Sequence, residues 1–347
     1  MKLDVHIMSA RMRAPFVSAT GSVQARELVL VRLEHMDGQV GFGESAPLPS
    51  YDRATVDDVQ VALESCREVL ARGEELDRAE LLIECARLAV LPQAVAGIDL
   101  ALWDLEGRRA REPVWRLLGA NGTGEVEVNR AIAAPDRARA ADEALAAARA
   151  GFRTLKLKVG IGDDAGRLAA VRAAAGPEVK IRLDANGAWT VSEAAATLRA
   201  LEPAGLELCE EPVSGLGETA QLSELTLLPL SIDETTTSPG ALDRRVCEAV
   251  CLKLGRSAGI TGLLESARRA RAAGYEVYLA SALDGPLGIA AALHAAAAIV
   301  PDRPCGLATL GLFDRREDPL PARDGTIAVP YGTGLGDGLL GWYGVGA

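Results

Sequence analysis

Six residues stand apart by type and spacing. Lys158, Asp184, Glu210, Asp233, Lys253 and Ser281 are the last polar residues of six successive short apolar runs, at steps of 26, 26, 23, 20 and 28 residues. Three of them are carboxylates on consecutive runs. Buried side by side, three carboxylates repel strongly unless a cation lies among them. An all-oxygen donor set suits a hard ion that keeps some of its water, which points to Mg²⁺, with Mn²⁺ as an alternative. Lys156 and Lys158 are two residues apart, so on a strand they share a face. Two ammonium groups this close are expected to lower each other's pKa, making one a usable base near neutral pH. Lys253 is expected on the opposite side. A divalent cation flanked by opposed lysines suits one reaction class. The cation binds a carboxylate, a lysine removes the proton α to it, and the enediolate is stabilised by the positive charge.

These residues need a scaffold that brings run ends together. From about residue 125, eight apolar runs alternate with seven Ala-rich helical segments. The runs are Val126–Ile132, Thr154–Val159, Val179–Asp184, Leu206–Glu210, Leu230–Asp233, Ala249–Leu254, Glu276–Ser281 and Gly306–Leu312. Their spacing fits repeated βα units, hence a TIM-type barrel or a doubly wound sheet. Strands buried on both faces normally read as apolar throughout, and barrel active sites lie at the C-terminal strand ends. A polar residue closing run after run therefore favours the barrel, as does the lack of a G-x-G-x-x-G turn after the first run. No helix follows the eighth run, which predicts a (β/α)7β barrel over 121–314.

Residues 1–120 read as an α+β capping domain. Leu28–Glu34 and Gln39–Glu44 form a hairpin pattern, followed by helical spacing over Thr55–Arg72, Arg78–Leu91 and Pro92–Arg109. Residues 315–347 are expected to pack back on the cap. The Gly-rich stretch Tyr331–Gly338 sits on no strand-to-helix unit, so it reads as turns rather than a phosphate loop.

The 347 residues carry a formal charge of −11 and only three histidines, His6, His35 and His294. Zinc sites rich in His are thereby nearly excluded, and proton transfer falls to carboxylates and lysines. The acidic balance argues against nucleic acid or an anionic membrane as partner. Six cysteines without a C-x-x-C pair read as reduced thiols of a cytoplasmic protein. There is no signal-peptide pattern and no membrane-spanning apolar run. A small-molecule carboxylate is the expected partner, with the chain a monomer or homo-oligomer.

The set T-L-K-L-K, L-D-A-N, E-E-P, I-D-E-T and L-K-L-G, in this order, resembles the enolase superfamily, muconate-lactonizing subgroup. Gly41–Pro47 (GFGESAP) is similar to the capping-domain segment of that group. The resemblance implies that Asp184, Glu210 and Asp233 hold Mg²⁺. It implies Lys158 as acid/base, Lys156 as its partner and Lys253 as the lysine of the opposite face. Asn186, Glu211 and Glu234 would orient ligands and lysines.

Two late segments bear on the substrate. Leu279–Gly288 (LASALDGPLG) and Cys305–Phe313 (CGLATLGLF) resemble segments of o-succinylbenzoate synthases, with Ala280, Asp284 and Gly285 departing from the pattern. Dipeptide epimerases of the subgroup carry a D-x-D in the eighth strand, which Ala308-Thr309-Leu310 lacks. The implied activity is a carbon–oxygen lyase forming o-succinylbenzoate, a step of menaquinone biosynthesis. Ser281, Leu283 and Gly306 would line the substrate pocket, and a loop around Arg13–Gly21 would close over it. Lys253 would then act as a cation rather than a second base. An N-succinylamino-acid racemase and a muconate cycloisomerase are the enzymatic alternatives. A non-catalytic barrel that only binds is disfavoured, because all six site positions are filled.

Overall fold

The computed structural model describes residues 1–73, 75–120 and 124–344. The expected domain boundary at 120/121 runs into residues 121–123, which lie outside the described residues. An antiparallel sheet of β1 (Lys2–Ser18), β2 (Gly21–Glu34) and β3 (Val40–Ser45) opens the chain, in the order β1-β2-β3. β2 and β3 are the hairpin expected from the sequence. β1 shows no single alternation in the sequence, because Leu3 and Val5 pack into the cap core while Met8, Ala10 and Met12, of the opposite parity, pack into the barrel core. Residues 13–26 are thus the far end of the β1–β2 hairpin, not the free loop expected around Arg13–Gly21.

Helices Val56–Ser65, Arg67–Ala71, Arg78–Ala89 and Pro92–Ala110 follow. The segment Thr55–Arg72, expected as one helix, is broken at Cys66, whose N–H turns back to Leu63 O at 3.1 Å in a tighter turn. Helix Pro92–Ala110 has Pro at its first turn and is buried along most of its length between the cap sheet and the barrel.

The barrel strands are β5 (Arg130–Ile132), β6 (Thr154–Lys158), β7 (Lys180–Asp184), β8 (Leu206–Glu210), β9 (Leu230–Ile232), β10 (Ala249–Lys253) and β11 (Glu276–Ala280), paired in parallel and in sequence order. Two outer runs behave differently from expectation. The first is split: β4 (Glu125–Glu127) pairs antiparallel with β12 (Thr326–Ala328) of the tail, and only β5 joins the barrel. The eighth forms no strand. Closure is made by isolated parallel bridges, Val128 to Cys305 and Ala280 to Gly306, after which the chain turns at Leu310–Leu312.

Helices follow most barrel strands, as the alternation predicted. After β9, where the step is shortest, only a 3₁₀ turn at Glu234–Thr237 is formed among the described residues. Pro239 and Gly240 in the next stretch oppose helix propagation. No helix among the described residues is long and apolar enough to cross a membrane.

The tail returns to the cap. Gly334 N donates to Glu112 O at 3.0 Å and Leu335 N to Asp104 Oδ1 at 2.8 Å. Gly334 has φ +64°, and a Cβ there would overlap Asp104, so this glycine serves close packing in a turn. His294, on helix Pro286–Ile299, is fully buried: Trp115 N donates to its Nδ1 at 3.2 Å, and its Nε2 meets Leu335 O at 3.1 Å. It ties cap, barrel and tail, a packing role.

Candidate active site

Strand parity delivers the polar groups to one place. On β6, Leu155 and Leu157 face the surrounding helices while Lys156 and Lys158 point into the barrel; both lysines are buried. Register sets Lys158 beside Asp184 and Asp184 beside Glu210, on β6, β7 and β8. Asp233 directly follows β9 and Lys253 closes β10. All three carboxylates are inaccessible to solvent or nearly so.

The contacts divide the site into two sides. Lys158 Nζ donates to Asp184 Oδ2 at 2.6 Å and to Asn186 Oδ1 at 2.9 Å. Lys156 Nζ lies 3.0 Å from the same Asp184 oxygen and 3.1 Å from Glu210 Oε1. Across the barrel, Lys253 Nζ lies 2.6 Å from Asp233 Oδ2 and donates to Tyr51 OH at 2.8 Å. Tyr51 OH in turn donates to Asp233 Oδ1 at 2.6 Å, and Lys253 Nζ sits 4.0 Å from the centre of the Tyr51 ring.

These charges set the protonation of their neighbours. Burial would raise the pKa of Asp184, but Lys158 and Lys156 outweigh it and hold the carboxyl well below its usual range. Burial, with Asp184 and Asp233 nearby, raises Glu210 despite Lys156. Lys156 corrects one expectation. Burial lowers its pKa, yet Glu210 and Asp184 more than offset this and the pKa is raised. The expected lowering is overridden by the carboxylates, which lie 3.0 and 3.1 Å from this ammonium.

The supporting carboxyls take distinct places. Glu211 accepts from Asp233 N at 2.6 Å and Thr235 N at 3.1 Å, so it fixes the backbone at the end of β9. Burial and Glu234 push its pKa up to about 8. Glu234 Oε1 accepts from Asn186 Nδ2 at 2.8 Å, which links it through Asn186 to Lys158. Burial and Asp233 raise Glu234 to about 7.

The donor set fits a hard divalent ion: carboxylate oxygens of Asp184, Glu210 and Asp233 on three adjacent strand ends, excluded from bulk water. Two groups beneath them were missed in the sequence. Tyr278 OH donates to Glu210 Oε2 at 2.8 Å, and the Cys251 thiol lies with Glu210 and Asp233 in a buried group whose ligand atoms are within 4.8 Å of one another. Both have inward parity, two residues before Ala280 and Lys253 on their strands, and parity would have found them. Tyr51 comes from the cap, and nothing in its spacing announces it.

A cavity opens above the lysines. Ser281, Leu283 and Gly306 all line it, together with Ala308 and Thr309 of the eighth segment and Phe16, Ser18 and Thr20 from the β1–β2 hairpin. A larger hollow of about 780 Å³ lies at the opposite, N-terminal end of the strands. It is bordered by charges already paired, such as Arg303 with Glu276 at 2.5 Å, and is remote from the lysines.

Residues 2–119 match the mandelate racemase/muconate lactonizing enzyme N-terminal domain, and residues 139–339 match the enolase C-terminal domain-like model. The chain belongs to the enolase superfamily. Within it, the chain is 31% identical over 354 aligned residues to chloromuconate cycloisomerase CbnB of Cupriavidus necator, covering 96% of this chain and 95% of that protein. The fold matches the N-succinyl Arg/Lys racemase of Bacillus cereus with a TM-score of 0.90 at 25% identity, over 97% and 95% of the two chains. It also matches the Cytophaga hutchinsonii dipeptide epimerase complexed with Mg and D-Ala-L-Val, with a TM-score of 0.88 at 26% identity over 98% and 97%. The superfamily's reaction class, removal of a proton α to a carboxylate with a divalent cation, is the class of this chain.

Proposed function

We propose that this enzyme is a dehydratase of the o-succinylbenzoate synthase type. The observation that carries the reading is the composition of the cavity. Apart from the three lysines, the described residues lining it are neutral: apolar Phe16, Leu283 and Ala308, and hydroxyls such as Ser281 and Thr309, joined at 2.9 Å. A dipeptide ammonium would find no carboxylate at Ala308-Thr309-Leu310, whereas a ring with a succinyl chain finds an apolar wall and hydroxyl donors.

In this reading Asp184, Glu210 and Asp233 hold Mg²⁺, which supplies positive charge against the substrate carboxylate as its α-proton leaves. Lys158 takes that proton onto Nζ. The same ammonium then protonates the hydroxyl on the adjacent ring carbon, the C–O bond breaks, water departs and the ring becomes aromatic. Lys253 remains a fixed cation, held by Asp233 and Tyr51.

The opposed placement of Lys158 and Lys253, each 2.6 Å from a carboxylate on its own side, favours a second reading, a two-base N-succinylamino-acid racemase. A panel assay with Mg²⁺ separates them: the hydroxy-succinyl-cyclohexadiene carboxylate, N-succinylamino acids and cis,cis-muconate. Turnover of the first supports the dehydratase, and turnover of the second alone replaces it by the racemase.

A further inference from the structure

Arg26, on β2 of the cap, is 2% exposed. Its donors reach three backbone carbonyls: Nε to Leu283 O at 3.3 Å, Nη1 to Pro47 O at 2.6 Å and Nη2 to Ala46 O at 2.8 Å. The last two lie in the segment that leads to Tyr51. Leu283 lies in the barrel loop whose residues Ser281–Leu283 line the cavity. One buried guanidinium therefore joins two cavity walls from different parts of the fold.

The loop it grips is strained. Leu283 has φ +62°, a left-handed conformation that is sterically unfavourable for a branched L-residue. Such backbone persists only where its surroundings over-determine it. Here Leu283 N donates to Ser281 Oγ at 2.9 Å, Ala282 N to Asp284 Oδ2 at 3.2 Å, and Gly285 N to Glu44 Oε1 of the cap at 2.8 Å. Arg26 supplies the bond to the Leu283 carbonyl itself. Burial lowers the pKa of this guanidinium, and the nearby Asp284, Asp52 and Glu44 carboxylates only partly offset that.

We propose that Arg26 is a positioning residue for substrate selection, which locks the Ser281–Leu283 wall against the Tyr51 segment without touching the substrate. The inference rests on the cavity being the substrate site, as argued above. Its energetic logic is that of preorganisation: a wall held in place by the protein need not be ordered by the ligand.

Two readouts on Arg26→Met test this. Hydrogen–deuterium exchange of the peptide over residues 279–288 is expected to be faster by about tenfold, with the peptide over 154–158 unchanged. On whichever panel substrate the wild-type enzyme turns over, KM is expected to rise about tenfold with kcat nearly kept, because the reacting groups are not displaced. Arg26→Lys, which keeps the charge but not the three-way fork, should fall between the two and also serves if the Met variant does not fold. Unchanged exchange in 279–288, or a loss confined to kcat, overturns the proposal. If the wild-type enzyme turns over no panel member, the dehydratase reading falls and the exchange readout alone decides the role of Arg26.

Discussion

Lys158 Nζ donates to Asp184 Oδ2 at 2.6 Å, so the proposed base is hydrogen-bonded to a proposed metal ligand on the adjacent strand. The two residues are nonetheless separable by experiment. Lys158→Ala should cut turnover by about a hundred- to ten-thousand-fold, the range of a lost general base. Mg²⁺ binding, followed by titration calorimetry, should survive. Asp184→Asn should instead lose Mg²⁺ binding along with activity, as chelation should in the wild type. Activity that resists chelation contradicts the metal assignment.

Lys253 distinguishes the two reaction modes. In a one-base dehydration it acts only as a cation, so Lys253→Ala should retain measurable turnover. In a two-base racemisation the same change should abolish racemisation while solvent-proton exchange from the Lys158 side continues. The assay is deuterium incorporation at the α-carbon together with optical rotation. Racemisation at the wild-type rate in Lys253→Ala would show that the lysine does not act as a base.

Tyr278 offers a test of metal affinity remote from substrate. Its hydroxyl holds Glu210 Oε2 at 2.8 Å and also meets Ser231 Oγ at 3.0 Å. Removing a group that orients a ligand typically weakens metal binding about 10- to 100-fold. Tyr278→Phe should show this in Mg²⁺ titrations, with activity recovered at high Mg²⁺. An unaltered affinity would rule out Glu210 as a ligand oriented by Tyr278.

His294 makes stability depend on pH. Burial lowers its pKa from 6.5 in the unfolded chain to about 4. Its folded-state contribution is therefore complete above pH 6.5 and is lost as pH falls through 4, because the unfolded chain takes the proton first. The full effect is about 3 kcal/mol. His294→Gln keeps an acceptor for Trp115 N and a donor for Leu335 O but does not titrate. Melting temperatures of the variant should fall less than those of the wild type between pH 6.5 and 4; parallel curves would contradict this account.

Gly285, just before helix Pro286–Ile299, has no room for a side chain. A Cβ at this position would overlap Glu44 Oε2 and come within 2.9 Å of both Leu28 Cδ1 and Tyr343 OH. Glu44 is itself fixed there by hydrogen bonds from Gly285 N and Tyr343 OH. Gly285→Ser should cost about 1–3 kcal/mol, the usual range for overpacking, read by urea denaturation. No loss of stability would mean that Glu44 can move aside.

Much of the barrel and its polar centre was legible in order because parity is a local property. A lysine two residues before Lys158 must share its face, and charges closing buried strands need a reason wherever they occur. Other features were hidden for equally physical reasons. β1 changes its apolar face midway: Leu3 and Val5 pack into the cap core, whereas Met8, Ala10 and Met12, of the opposite parity, pack into the barrel core. The eighth run looked like a strand, but only Cys305 and Gly306 bridge to neighbours before Leu310–Leu312 turns away. The raised pKa of Lys156 could not be read from its neighbour Lys158, since it depends on Glu210, 54 residues away.

The sequence by itself determined which strands carry carboxylates, which carry lysines, and that few histidines leave proton transfer to lysines. These follow from residue type and period. Only the tertiary structure decided that Tyr51 of the cap meets Lys253 and Asp233, that Tyr278 supports Glu210, and that Arg26 joins the loop at Leu283 to the segment at Ala46–Pro47. Those contacts link residues 202, 68 and 257 positions apart. No local pattern encodes them, because they exist only once strands distant in the chain have closed into the barrel, the cap has folded onto its mouth and buried polar groups have found their partners.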